Sequence, residues 1–117
     1  MALAKNLNLK PGMKMRVIGK PAGVDLDDVQ TTASASADAV LIFVKTMAEV
    51  GSKCGPAVEA AKADGLSWIA YPKAGQLNTD LNRDILWRHL LKEKKIQGVR
   101  QVSIDGVWSA LRFRPAK

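Results

Sequence analysis

The fold class follows from residues 66–89, which read LSWIAYPKAGQLNTDLNRDILWRH. The first six residues are an apolar run that predicts a buried strand, and Pro72 and Lys73 end it. Thr79 is then the expected N-cap of a helix over residues 80–94, because its hydroxyl can accept a hydrogen bond from an amide of the first turn. A buried strand, a polar loop and a helix make one half of a parallel α/β unit. In such sheets ligands bind just past the carboxyl ends of the strands.

Two further segments predict parallel strands, and a third predicts a hairpin. Residues 13–19 alternate between apolar and polar side chains, whereas residues 39–44 are continuously apolar. A continuous apolar run is typical of a central strand with helices on both sides. Asp105-Gly106 between two strand-like runs, residues 99–104 and 107–113, indicates an antiparallel hairpin. The chain therefore predicts an α/β fold, a three-layer Rossmann-like sandwich with a five-stranded, mostly parallel sheet.

Shorter features are predicted between the strands. Asp25 begins a short helix over residues 25–30, and residues 31–37 (TTASASA) form a surface loop. Thr46-Met47-Ala48-Glu49 matches a capping box, in which the hydroxyl and the carboxylate each satisfy a backbone amide. A further helical segment over residues 56–64 begins at a proline, which suits a first helical turn.

Composition bounds the class of protein. With 117 residues, 47% of them hydrophobic, the chain predicts a single domain over residues 1–117. Its apolar runs are far shorter than the roughly 20 residues of a membrane span, so no membrane partner is expected. The first residues contain no apolar block followed by a small-residue cleavage site, so we expect no secretory signal. Cys54 is the single cysteine, which rules out an intrachain disulfide within these residues. We therefore expect a cytoplasmic protein.

The formal net charge of +7 is concentrated near the two ends of the chain. The first 20 residues carry +5, the last 35 carry +6, and the segment between them carries −4. A basic surface of this kind attracts phosphate polyanions. The alternative is that Arg100, Arg112 and Arg114 lie on a terminal hairpin, where charge deters edge-to-edge aggregation, and we favour that explanation.

Five segments carry a family resemblance. In chain order they are Leu9-Lys10-Pro11-Gly12, Phe43-Val44-Lys45, Trp68-Ile69-Ala70-Tyr71-Pro72-Lys73, Thr79-Asp80-Leu81-Asn82-Arg83-Asp84 and Trp108-Ser109-Ala110-Leu111-Arg112-Phe113-Arg114. They extend over nearly the whole chain, and in them the protein resembles a bacterial family of domains of unknown function. The resemblance implies kinship, but it implies no activity and no catalytic residues.

The order of elements is also similar to a class I methyltransferase reduced to three parallel strands and the closing hairpin. This similarity implies the strand order 1-2-3-5-4, with the last strand antiparallel to its neighbours. Gly19-Lys20-Pro21-Ala22-Gly23 lacks the closely spaced glycines of the methyl-donor fingerprint, and no acidic strand end follows to hold a ribose. The similarity implies a degenerate enzyme at most, because a fold alone does not carry function.

Three lysines follow the three predicted parallel strands. Lys20, Lys45 and Lys73 would therefore emerge at one end of the sheet, beside the helix start at Thr79. Ammonium groups next to helix amides suit a phosphate or a carboxylate. The alternative is that each lysine only solvates the end of its strand.

Other candidate side chains have both a functional and a structural explanation. Asp80 and Arg83 are also predicted ligand-binding residues, together with the three lysines and Thr79. A general base at Asp80 or Asp84, oriented by Arg83, is less favoured, because acidic residues are common in the first turn of a helix. His89 has no second histidine with which to form a metal cluster. Cys54 is either a reactive thiol or, as we favour, a small packed hydrophobe. We assign no catalytic residue, no metal and no cofactor.

These features favour a non-catalytic binding domain for an anionic small molecule or a partner protein. Two alternatives stay open: a nucleic-acid-associated protein that uses its basic surface, and a degenerate methyltransferase-like enzyme. A basic stripe with an exposed Trp108 would favour the first alternative, and an open cleft with Asp84 beside Lys73 would favour the second. Leu81 and Ile85 lie off the main apolar arc of the predicted helix, and either a monomer or a weak homodimer is expected.

Overall fold

The computed structural model of the protein describes residues 3–10, 12–26, 29–32, 37–73 and 80–116. The elements in chain order are α1 (Leu3–Asn6), β1 (Met15–Ile18), β2 (Thr31–Thr32), β3 (Ala39–Phe43), α2 (Met47–Lys53), α3 (Gly55–Lys62), β4 (Leu66–Pro72), α4 (Arg83–Lys94), β5 (Ile96–Ser103) and β6 (Trp108–Pro115). In the described ranges, none of these helices has the length and apolar character needed to cross a membrane.

The six strands form one mixed sheet in the order β2-β1-β3-β4-β6-β5. The strands β2, β1, β3 and β4 run parallel to one another, and β6 is antiparallel to both of its neighbours. Ile42 of β3 lies opposite Ile18 on one side and opposite Ile69 on the other. The prediction that the three apolar strands lie side by side and point the same way is confirmed.

The predicted five-stranded sheet is incomplete at the edge beyond β1. Residues 31–32, predicted as part of a loop, form the short strand β2 opposite Met15 and Arg16. The order therefore differs from 1-2-3-5-4 by this additional strand. The two threonines of β2 carry no run of apolar side chains from which a strand could be predicted. Backbone hydrogen bonds hold this edge in place, for example from the Met15 amide to the Gln30 carbonyl at 2.8 Å. Residues 33–36 lie outside the described residues.

The two faces of the sheet are covered differently, which corrects the predicted three-layer sandwich. Helices α2, α3 and α4 all pack on one face, through buried residues that include Val50, Ala57, Ala61, Leu86 and Leu90. The other face is covered by residues outside these helices, namely Leu7, Val24, Leu26 and Val29. In the described part of the chain, the helices longer than one turn therefore form a single layer.

The direction of the connections explains this asymmetry. The connections from β3 to β4 and from β4 to β5 step toward one edge of the sheet, whereas the connection from β1 to β2 steps toward the other. Right-handed crossovers that step in opposite directions fall on opposite faces. The β1–β2 connection was predicted to hold a helix over residues 25–30. Asp25, Leu26, Val29 and Gln30 are not helical, and residues 27–28 lie outside the described residues.

Helix α4 begins at Arg83, three residues after the predicted start. Asn82 has extended backbone angles, and its side chain accepts a hydrogen bond from the Ile85 amide at 2.9 Å, so Asn82 is the N-cap. Thr79, the predicted cap, lies outside the described residues. Asparagine ranks above threonine at this position, so a later start at Asn82 is favourable. The predicted end of the helix at Lys94 is confirmed.

Gly19 allows the chain to leave β1 against the end of β3. Its φ of +75° lies in the left-handed region, and a Cβ at this position would lie 3.0 Å from the Phe43 carbonyl oxygen. Any other residue would have to accept the strained φ and also displace backbone.

We expect Gly19→Ala to lower the free energy of unfolding by about 1–3 kcal/mol, measured by urea denaturation. Gly23→Ala is the matched control, because no atom lies within 4 Å of its Cβ position and its φ is not left-handed. Equal stability of the two variants would contradict the close approach between β1 and β3.

Candidate functional site

The three predicted lysines follow the carboxyl ends of the parallel strands β1, β3 and β4, but they do not meet in one pocket. Lys20 donates from Nζ to the carbonyls of Pro21 at 3.2 Å and Val24 at 2.8 Å, so it closes its own loop. Lys45 lines a crevice above β1 and β3, whereas Lys73 lines a separate cleft near α4. The predicted common anion site of the three lysines is therefore not formed, because each lysine lies in a different place.

The first opening, which we call the switch-point crevice, lies above the carboxyl ends of β1 and β3. It encloses about 490 Å³ and is lined mainly by Gly19, Phe43, Lys45, Val107 and Trp108. Phe43 and Trp108 meet edge to face, with ring centroids 5.2 Å apart. The connections from β1 and from β3 lead to opposite edges of the sheet, and ligands of open α/β sheets bind at such points.

The charges around the switch-point crevice balance one another. Its lining includes two cations, Lys45 and Lys53, and two carboxylates, Glu49 and Asp105. The hydrogen bond from the Lys45 amide holds the pKa of Glu49 below its usual value; burial opposes this effect, and the nearby Lys53 adds to it. Asp105 accepts hydrogen bonds from two backbone amides of its own turn, both at 2.8 Å. This crevice therefore offers no excess positive charge to an anion.

The second opening, which we call the α4 cleft, lies between the start of α4 and the strands β4, β6 and β5. It encloses about 540 Å³. Its lining consists of polar and charged residues: Tyr71, Lys73, Asn82, Arg83, Asp84, Gln101, Ser103 and Ser109. With two cations and one carboxylate, the lining carries one net positive charge.

Hydrogen bonds fix most of these side chains in place. Lys73 donates from Nζ to Ser103 Oγ at 2.8 Å, and Gln101 donates from Nε2 to the Tyr71 hydroxyl at 2.8 Å. Arg83 bridges Gln101 Oε1 at 3.4 Å and Asp84 Oδ1 at 3.3 Å. The cleft is thus lined by polar side chains whose orientations are set by hydrogen bonds to one another.

Burial keeps the Tyr71 hydroxyl protonated. Removal from water raises the pKa of Tyr71, and the hydrogen bonds from Gln101 and Ser109 and the charge of Arg83 oppose this effect only in part. A neutral phenol donates a hydrogen bond and does not act as a base near neutral pH.

Asp80 has a structural role that differs from both predicted ones. Its Oδ1 accepts a hydrogen bond from the Met47 amide at 2.9 Å, so it caps the start of α2. Thr46 caps the same helix through the Glu49 amide, as the capping box predicts, while the Glu49 carboxylate reaches the amide of Lys45 and not that of Thr46. Asp80 is therefore a helix-capping residue and lies outside the lining of the α4 cleft.

Sequence reasoning missed five residues of the cleft, among them Asn82, which also caps α4. Tyr71 was assigned to the strand interior, and Gln101, Ser103 and Ser109 were read only as hairpin residues. Gln101 and Ser103 are two residues apart on β5 and both line the cleft. This alternation is the signal that could have found them, because side chains two apart on a strand share a face.

Other candidate groups are not available for chemistry. Burial raises the pKa of Cys54 to about 12, so this residue is a packed thiol and not a reactive thiolate. Within the described ranges, no three histidine, cysteine, aspartate or glutamate side chains are grouped to hold a metal ion. Trp108 is only 5% exposed and therefore cannot stack on a base.

Comparisons of the chain with family models, with curated proteins and with solved structures give no match. The resemblance to a bacterial family of unknown function and the topological similarity to methyltransferases therefore stay predictions.

The single tyrosine makes the α4 cleft accessible to a spectroscopic titration. We expect the phenol absorbance at alkaline pH to give a midpoint above the usual value of about 10. Arg83→Gln should raise the midpoint further, because the Arg83 charge favours the phenolate. Arg88→Gln, an exposed change on the same helix, should leave it unchanged.

The raised pKa of Tyr71 also makes the free energy of unfolding depend on pH. Since the folded-state pKa of Tyr71 is raised, its stabilising contribution is complete below the unfolded-state pKa and is lost as pH rises through the folded-state value. A midpoint at or below 10, or equal midpoints in the two arginine variants, would contradict this description of the cleft.

Proposed function

We propose that the protein is a non-catalytic binding domain whose α4 cleft holds a small anionic molecule through a phosphate or carboxylate group. The observation that carries the proposal is the combination of two cations, Lys73 and Arg83, with neutral hydrogen-bond donors in one cleft of about 540 Å³. The switch-point crevice is charge-balanced and is therefore the less suitable place for an anion.

Both cations retain donors for a ligand. An ammonium group has three N–H bonds, and Lys73 uses one of them on Ser103. A guanidinium has five, of which Arg83 directs one to Asp84 and one to Gln101. Charge-assisted hydrogen bonds from the remaining donors are the strong contacts by which proteins hold phosphate and carboxylate groups.

Binding explains the cleft better than catalysis does. Asp84 and Lys73 both line it, which is the arrangement expected of a degenerate enzyme. However, Asp84 is paired with Arg83 at 3.3 Å and is 63% exposed, so it is not positioned as an isolated base. Tyr71 stays protonated because it is buried. These groups hold an anion but leave no activated base or nucleophile.

We expect inorganic phosphate to raise the melting temperature of the protein by a few degrees at about ten times its Kd, measured by differential scanning fluorimetry. Sodium chloride of equal ionic strength should give a smaller rise. Lys73→Ala should fold but lose the phosphate-specific part of the shift, since it removes one of the two cations.

Lys92→Ala is the matched control, because Lys92 is exposed in the last turn of α4, at the opposite end from the cleft. This variant should respond to phosphate as the unaltered chain does. The proposal is wrong if the unaltered chain shows no phosphate-specific shift, or if Lys73→Ala retains it in full.

A further inference from the structure

The two basic ends of the chain meet on the face of the sheet opposite α2, α3 and α4. The Trp68 indole donates from Nε1 to the Leu7 carbonyl at 3.1 Å, which holds the N-terminal segment against β4. In the β4–β6 register Trp68 lies directly opposite Arg112. The segment that carries Lys5 and the hairpin that carries Arg112 therefore occupy neighbouring parts of one face.

Arg100 belongs to the same face as Arg112. The two residues are directly opposite each other in the β5–β6 register, and opposed cross-strand side chains share a face. Val102 and Ala110, two residues away on each strand, pack in the core of that face. We use the name basic face for the surface formed by Lys5, Arg100 and Arg112.

The arrangement of these arginines is costly in the free protein. Like charges placed directly opposite one another across two strands are destabilising. Arg112 Nε is buried and has no hydrogen-bond partner among the described residues. Asp64 accepts two hydrogen bonds from Arg114, at 2.8 and 3.0 Å, and its charge also interacts with that of Arg112.

Protection of a sheet edge does not explain the charge on β6. The sequence favoured that role for Arg100, Arg112 and Arg114, but β6 lies between β4 and β5 and is not an edge strand. Only Arg100, on β5, lies at an edge. The favoured prediction is therefore wrong for the two arginines of β6. The charge of Arg112 interacts with the Asp64 carboxylate, but that carboxylate is already hydrogen-bonded to Arg114.

We propose that the basic face docks the phosphate backbone of a nucleic-acid duplex. A duplex presents closely spaced phosphates, about one charge per 1.7 Å of helix axis, which complements three cations on one surface. Trp68 and Trp108 on this side of the sheet are buried, so the surface lacks the exposed tryptophans that bind unstacked single strands. Recognition is therefore through phosphates and is independent of base sequence.

The test is fluorescence anisotropy with a short labelled DNA duplex, titrated with protein at several salt concentrations. The unaltered chain should bind at low salt, and log affinity should fall linearly with log salt concentration. Arg100→Glu should weaken binding about tenfold and reduce that slope, since a phosphate contact is lost. Arg88→Glu is the matched control, because it makes the same change of charge at an exposed position on α4.

A second variant separates binding from folding. Arg112→Gln removes the like charge opposite Arg100 and keeps a side chain of similar shape. It should weaken duplex binding while the melting temperature stays the same or rises. A loss of stability in this variant would mean that the attraction between Arg112 and Asp64 outweighs the repulsion between Arg112 and Arg100, and would contradict the cost assigned to the opposed arginines.

Three outcomes would overturn the proposal: no binding of the duplex at low salt, equal effects of Arg100→Glu and Arg88→Glu, or preference for a single strand or for vesicles of anionic lipid. Lys73→Ala should leave duplex binding unchanged, so the failure of the small-anion proposal and the failure of this one are distinguishable.

Discussion

The pairing of β6 with β4 is the constraint on which the candidate surfaces depend. The two strands run antiparallel in register, from Ser67 opposite Phe113 to Pro72 opposite Trp108. Because side chains alternate along a strand, β6 supplies Trp108 to the switch-point crevice, Ser109 to the α4 cleft and Arg112 to the basic face. A shift of one residue would exchange these assignments, since it would turn every side chain of β6 to the other face.

An irregularity in β5 completes the arrangement. Gly98 lies opposite Phe113 and Arg100 lies opposite Arg112, so Val99 is an extra residue in the ladder, a β-bulge. Before the bulge, Gly98 packs toward Trp87 on the helical face, where a Cβ would lie 3.2 Å from the indole. After it, Gln101 faces the α4 cleft and Arg100 faces away. Without the bulge, Arg100 would follow Gly98 onto the helical face.

The parts of this structure that the sequence predicted are those set by local physical chemistry. Continuous apolar residues 39–44 and 66–71 marked β3 and β4, and their parallel direction placed Lys45 and Lys73 at one edge. The parts that it did not predict depend on distant contacts. The hydrogen bond of Asp80 to α2 and the bulge at Val99 have no local signature, because each is decided by an element far away in sequence.

The α4 cleft and the basic face lie on opposite sides of the same hairpin, so the charges of one act on the charges of the other across the sheet. Side chains on the two faces of a single sheet point away from each other, so we take charges on opposite faces to be roughly 10 Å apart, the spacing that packed layers keep. At that distance two unit charges interact by roughly 0.4–1.7 kcal/mol before screening by salt, and physiological salt reduces this further. An anion held by Lys73 and Arg83 would therefore weaken the hold of Arg100 and Arg112 on a phosphate backbone only slightly. The hairpin can thus carry both surfaces, because the sheet that joins them also keeps their charges apart.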